Sequence, residues 1–147
     1  MNRFACFAVF VTLMSVTSCS PGEPEPVEIV LNEENCSFCR MAVSQREFAA
    51  EVVTVSGSLD TFDDIGCLVK WMKEHQPPPS AGVFVVDFGD GSWIGARAAA
   101  YIHSEDLPTP MSSGLAAFKD RASAEDAVTR LGGRVLDWRE LWEEAVQ

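Results

Sequence analysis

The residues whose chemistry stands out in this sequence are sulfur donors. Cys36-Ser37-Phe38-Cys39-Arg40-Met41 puts two thiols three positions apart and a thioether two positions later, in a segment that reads as a loop between Leu31 and the first strand. Two thiols so spaced can converge on one ion, and the added thioether completes a soft set of the kind that selects Cu(I). A structural zinc site prefers four Cys or His ligands, usually in two pairs, and the chain has no second Cys-x-x-Cys. The spacing equally allows a Cys36–Cys39 disulfide in an oxidising compartment, which would leave Cys67 free, or a redox-active pair. Redox Cys-x-x-Cys pairs usually open a helix that lowers the thiol pKa, whereas this one precedes a strand. In Pro108-Thr109-Pro110-Met111-Ser112-Ser113-Gly114, two prolines and a glycine fix a loop that displays Met111 as a possible fourth soft ligand. Met41 also has a plainer reading as a gap-filling core methionine, and Cys67, beside a helical apolar stripe, reads as a small buried hydrophobe.

Other chemistry is thin. The two histidines, His75 and His103, belong to no nucleophile motif, and there is neither a phosphate-cradling glycine loop nor a His-Glu-x-x-His. Asp63-Asp64 and Asp87/Asp90 sit where a helix start and a turn account for them. With 11 Lys plus Arg against 22 Asp plus Glu, the net charge of -11 excludes a nucleic-acid partner and disfavours electrostatic docking to anionic lipid. The expectation from these residues is a metal-binding protein rather than an enzyme. Two rivals stay open: a thiol-disulfide oxidoreductase using Cys36 and Cys39, and a structural lipoprotein stapled by their disulfide.

These groups have to be positioned by what surrounds them. Residues 1–18 read as a secretory signal: a short basic start, then an apolar run from Phe4 to Val16, too short to span a bilayer as a helix. Val16-Thr17-Ser18-Cys19 resembles the lipobox of bacterial lipoproteins, which makes Cys19 the lipidated N-terminus, and Ser20 rather than Asp after it implies the periplasmic face of the outer membrane. Residues 19–26, rich in Pro and Glu, form a linker. The remainder reads as an α+β protein of two tandem ββαβ units, 27–91 and 92–147, the second with a short C-terminal helix. In the first unit, strand material at Phe48 to Val55 and Leu59 to Phe62 is followed by a helix capped by Thr61 or Asp63, with Ile65, Leu68, Val69 and Met72 as its stripe, and a strand at Gly82 to Phe88. In the second, Trp93-Ile94 with Ala98 to Ile102, then Leu115 to Phe118, precede a helix capped by Ser123, a strand at Arg134 to Leu136, and a final helix capped by Asp137 with Trp138, Leu141, Trp142 and Ala145 on one face.

Taken in order, the lipobox, Cys36-x-x-Cys39-x-Met41, Phe62-Asp63-Asp64-Ile65-Gly66-Cys67, Ala100-Tyr101-Ile102, Thr109-Pro110-Met111-Ser112-Ser113-Gly114-Leu115, Ala117-Phe118 and Gly132-Gly133-Arg134-Val135-Leu136 resemble the NosL family. These are lipoprotein copper chaperones associated with maturation of nitrous oxide reductase. The resemblance covers nearly all of the chain after the signal. It implies paired ββαβ units similar to the organomercury lyase fold, binding of Cu(I), and transfer to nitrous oxide reductase as the copper acceptor. It makes Cys36, Cys39 and Met41 ligand candidates, with Met111 the fourth. Ser112 stands where many members have glycine.

Overall fold

The computed structural model describes residues 22–144, so the signal segment, Cys19 and the first part of the linker, like Ala145 of the final helical stripe, lie outside the described residues. Residues 22–26 form neither helix nor strand and are largely exposed. Among the described residues no helix is long and apolar enough to cross a membrane.

The two units have the expected order. In the first, β1 (Ala50–Val53) turns through Gly57 into β2 (Leu59–Phe62), followed by α1 (Ile65–His75), β3 (Gly82–Val86) and β4 (Trp93–Gly95). In the second, β5 (Ala100–His103) and β6 (Leu115–Phe118) lead to α2 (Arg121–Leu131), β7 (Arg134–Leu136) and α3 (Trp138–Glu144). Both sheets are antiparallel, with strand orders β2-β1-β3-β4 and β6-β5-β7. In each unit the first strand is central, flanked by its hairpin partner and by the strand after the helix, which makes the duplication visible in space. β4 departs from the sequence reading: Trp93 pairs with Val86, so this strand extends the first sheet instead of opening the second unit. The sheets are tied by Phe88 N–H donating to the Ala117 carbonyl at 2.8 Å and Lys119 N–H donating to Asp87 Oδ2 at 2.6 Å.

The main core lies where α1 and both sheets meet. Ala50, Val52, Phe62 and Val85 from the first sheet, Ile65, Leu68 and Met72 from α1, and Tyr101, Ala117 and Leu136 from the second sheet share one buried cluster. The other face of the second sheet packs Ile102, Ala116 and Phe118 on Ala124 and Ala127 of α2. Two helix starts differ from expectation. Asp64, in extended backbone, caps α1 by accepting from Gly66 N–H at 2.7 Å, while Thr61 stays in β2 and Asp63 is turned inward. Asp120 caps α2 through Ser123 N–H at 2.7 Å, which puts Ser123 inside the first turn. In both, the residue already in β conformation with a charged acceptor takes the cap. Asp137 and Glu140 cap α3 reciprocally, each accepting the other's backbone N–H at 2.8 Å.

Glu51, the charged residue of β1, is fully buried. Its Oε1 accepts from Val27 N–H at 2.7 Å, tying the incoming chain to the sheet, and its Oε2 has no hydrogen-bond partner. Burial pushes this carboxyl up to about 7 from an ordinary 4.5, reinforced by Glu34 and Glu28 and opposed by Val27 N–H and Arg46. A carboxyl raised on folding supports the fold fully below its unfolded pKa and withdraws that support as pH rises through the folded value. The metal-free protein should therefore lose about 1–3 kcal/mol of stability between about pH 4.5 and 8 through this group. Glu51→Gln keeps the acceptor for Val27 and removes the charge, so its stability should fall less over the same range. Denaturant melts at pH 5 and pH 8 check this; equal losses in both proteins would acquit Glu51.

Candidate metal centre

The cysteine loop is closed by its own backbone. Cys36 N–H donates to the Met41 carbonyl at 2.8 Å and Arg40 N–H to the Cys36 carbonyl at 3.0 Å, with Arg40 at φ +69 making the reversal. Ser37 N–H donates to the Thr61 carbonyl at 2.8 Å, which docks the loop against the last residues of β2. The chain leaving β2 carries Asp63 inward, and α1 then presents Cys67 from its first turn, where Cys67 N–H donates to the Asp64 carbonyl at 3.0 Å. A 36–41 loop, a strand end and a helix start thus converge.

What they bring together is one cluster: ligand atoms of Cys36, Cys39, Asp63 and Cys67 all lie within 4.8 Å of one another. Cys36, Cys67 and Asp63 are buried and Cys39 is half-buried, so Cys39 is the open side. Cys39 N–H donates to Cys36 Sγ at 3.5 Å and its thiol to Asp63 Oδ1 at 3.4 Å. All three cysteines are free thiols, so the Cys36–Cys39 staple is not formed. The pair itself lies in a turn and does not open a helix, unlike the usual redox arrangement.

The electrostatics follow from packing four acidic groups into one small volume. A hydrogen bond from the Cys67 thiol, which outweighs the cost of burial, holds Cys36 well below the ordinary thiol range. Cys67 is pushed far up by giving that hydrogen bond and by burial, and burial raises Cys39 as well. Burial and the neighbouring Cys36 sulfur raise Asp63 to about 6. Cys36 and Asp63 are thus the groups that give up protons most readily, and the protons held on Cys67 and Cys39 are those a cation would displace.

Of the residues expected from sequence, Cys36 and Cys39 are in the cluster. The Met41 and Met111 side chains are 60% and 43% exposed and lie outside the buried set. Met111 is nonetheless anchored close by: its N–H donates to Asp64 Oδ2 at 3.0 Å, and Ser113 of the same loop abuts Gly66 of α1. Ser112, at φ +56, holds a left-handed conformation that glycine adopts without steric cost. His103 faces Glu144 at 3.7 Å and is not part of the cluster. Sequence reasoning missed Asp63 and Cys67, having assigned one to capping and the other to packing. No spacing in the sequence joins them, because Asp63 precedes the cap of α1 and helical periodicity does not relate it to Cys67.

The family model NosL matches residues 26–146. Among solved structures, the crystal structure of the copper chaperone NosL from Shewanella denitrificans superposes with a TM-score of 0.66, at 19% sequence identity, covering 80% of this chain and 96% of that one. No curated protein matches the chain.

Proposed function

The chain belongs to the NosL family, and on that premise we propose that it is a carrier of Cu(I), not an enzyme, with Cys36, Cys39 and Cys67 as the thiol ligands. The observation that carries this reading is the convergence of three free thiols in a mostly buried cluster with one open side. Cu(I) is a soft d¹⁰ ion suited to low-coordinate thiolate sites, and a half-exposed ligand such as Cys39 gives an acceptor a place to begin ligand exchange. Met41 and Met111, exposed near the cluster, supply thioethers for that exchange, a role that suits exposed side chains better than a place in the resting ligand set. The acceptor we propose is nitrous oxide reductase. The chain would be held at the periplasmic face of the outer membrane by lipid on Cys19, with the Pro/Glu segment as spacer.

Asp63 gives a zinc reading one specific support, because three thiolates and a carboxylate make a closed four-ligand set. Competition separates the two. The reduced protein should retain Cu(I) against a Cu(I) chelator and exchange it for Zn(II) only at large excess. Asp63→Asn should weaken Zn(II) binding at least tenfold more than Cu(I) binding, since a hard carboxylate adds little to a thiolate-bound Cu(I). Preferential retention of Zn(II) would sink the copper assignment. In cells, Cys19→Ser should move the protein out of the membrane fraction; if it stays there, the anchor is not the lipid.

A further inference from the structure

The far end of α1 from the thiol cluster lines a second site of different chemistry. A cavity of about 570 Å³ lies between α1, the segment joining β4 to β5, and α3. Its walls include Trp138 and Trp142, and three cations from three different elements reach it: Lys73, Arg97 and Arg139. In a chain of net charge -11 this convergence runs against the overall balance. Arg46, Lys119, Arg121, Arg130 and Arg134 are each paired with a carboxylate, whereas Lys73, Arg97 and Arg139, like Arg40 and Lys70 elsewhere, make no ion pair among the described residues. Glu143 is the acidic residue in the lining.

Lys73 is the sharpest feature. Its Nζ is shielded from solvent and has no hydrogen-bond partner, and it lies 5.3 Å from the centre of the Trp142 ring. The ring face offers it some cation–π attraction but accepts none of its three N–H donors in a conventional hydrogen bond. A cation near the C-terminus of α1 is explained by the helix dipole. That accounts for neither Arg97 nor Arg139, which come from elsewhere. A buried ammonium with spare donors, two guanidinium groups and two indole walls match a ligand with an acid at one end and a flat apolar body at the other. The volume is in the small-molecule range, in a groove that is open to solvent on one side.

We propose that this cavity binds a small aromatic carboxylate, with the ring against Trp138 and Trp142 and the carboxylate on Arg97 and Arg139, Lys73 turning its ammonium out from over the Trp142 ring to join them. The site is independent of the metal reading, and its test leaves that reading untouched.

The four tryptophans of the chain provide the readout, because Trp93 lies against Arg46 at a different place and serves as an internal control. The full chain, labelled with ¹⁵N at the indole nitrogens, is titrated with 2-naphthoate. Naphthalene-2-methanol and 2-naphthylmethylammonium serve as neutral and cationic probes of the same ring. The Trp138 and Trp142 indole N–H signals should shift saturably with 2-naphthoate while Trp93 stays still, and the neutral and cationic probes should bind at least tenfold more weakly. Lys73→Met, which keeps the aliphatic stem, and Arg139→Gln, at an exposed position, should each weaken 2-naphthoate severalfold. Equal binding of the three probes, undiminished binding in both variants, or absence of saturable shifts at Trp138 and Trp142 would each overturn the proposal.

Discussion

Cys36→Ser is expected to lower Cu(I) retention by more than about a hundredfold, the upper end of what losing an outer-shell partner of a metal site costs. Cys36 is fully buried, receives the Cys39 N–H, and is the cluster thiol whose pKa the Cys67 hydrogen bond pulls down. Serine fills nearly the same space and can accept the same hydrogen bonds, but its hydroxyl is a hard, protonated donor that Cu(I) disfavours. The metal-free variant should therefore melt close to wild type while its copper affinity collapses. Cys39→Ser should cost less than Cys36→Ser, because Cys39 is half-exposed and, on the proposed reading, is the ligand an acceptor displaces first. Since Cys67 and Cys39 carry protons that the metal must displace, affinity should climb with pH, by about one logarithmic unit per pH unit for each thiol deprotonated on binding. Chelator competition at pH 6 and pH 8 measures both effects. Retention by Cys36→Ser within tenfold of wild type would mean that the cluster is not the copper site.

The parts of this molecule that could be read from sequence are those whose cause is local. The tandem ββαβ order could be followed because each helix start has an acceptor side chain, α1 and α2 end at Pro77-Pro78-Pro79 and Gly132, and the strands are short apolar runs between them. Where two neighbours could do the same local job, the choice depended on backbone conformation: Asp64 rather than Asp63 caps α1, and Asp120 rather than Ser123 caps α2. The three residues of β4 carry no pattern that says which sheet they join; pairing of Trp93 with Val86 decides it. The same division runs through the metal centre. Cys36 and Cys39 share one loop and announce themselves. Cys67 and Asp63 join them only because Ser37 docks on Thr61, a contact between segments far apart in sequence. Met41 and Met111 have the right chemistry at conspicuous positions, but spacing cannot tell a buried thioether from an exposed one.

Asp64→Ala is expected to have the largest effect on stability, because one buried carboxylate does two jobs. Its Oδ1 accepts from Gly66 N–H at 2.7 Å and caps α1, and its Oδ2 accepts from Met111 N–H at 3.0 Å and pins the 108–114 loop to the helix start. Loss of a cap costs about 1 kcal/mol, and leaving a part-buried N–H without its charged acceptor costs about 1–3 kcal/mol more. At roughly 2–4 kcal/mol in total, the melting temperature of a domain this size should fall by about 10 °C. Asp64→Asn separates the two jobs. Its amide oxygen can still cap Gly66, but the amide nitrogen then faces Met111 N–H, donor against donor, so the cap survives and the loop is released. The release should stay local. Gly114, at φ +66 with the Ser104 carbonyl oxygen occupying the place of a Cβ, fixes the other end of the loop by close backbone approach. Amide exchange at Met111 and Ser112 should therefore speed up in both variants, while exchange in α1 speeds up only in Asp64→Ala. Cys67 lies in the turn that Asp64 caps, so Cu(I) affinity should fall in Asp64→Ala and hold nearer to wild type in Asp64→Asn. If Asp64→Ala melted within 2 °C of wild type, the cap and the loop contact could not be what holds this end of α1 in place.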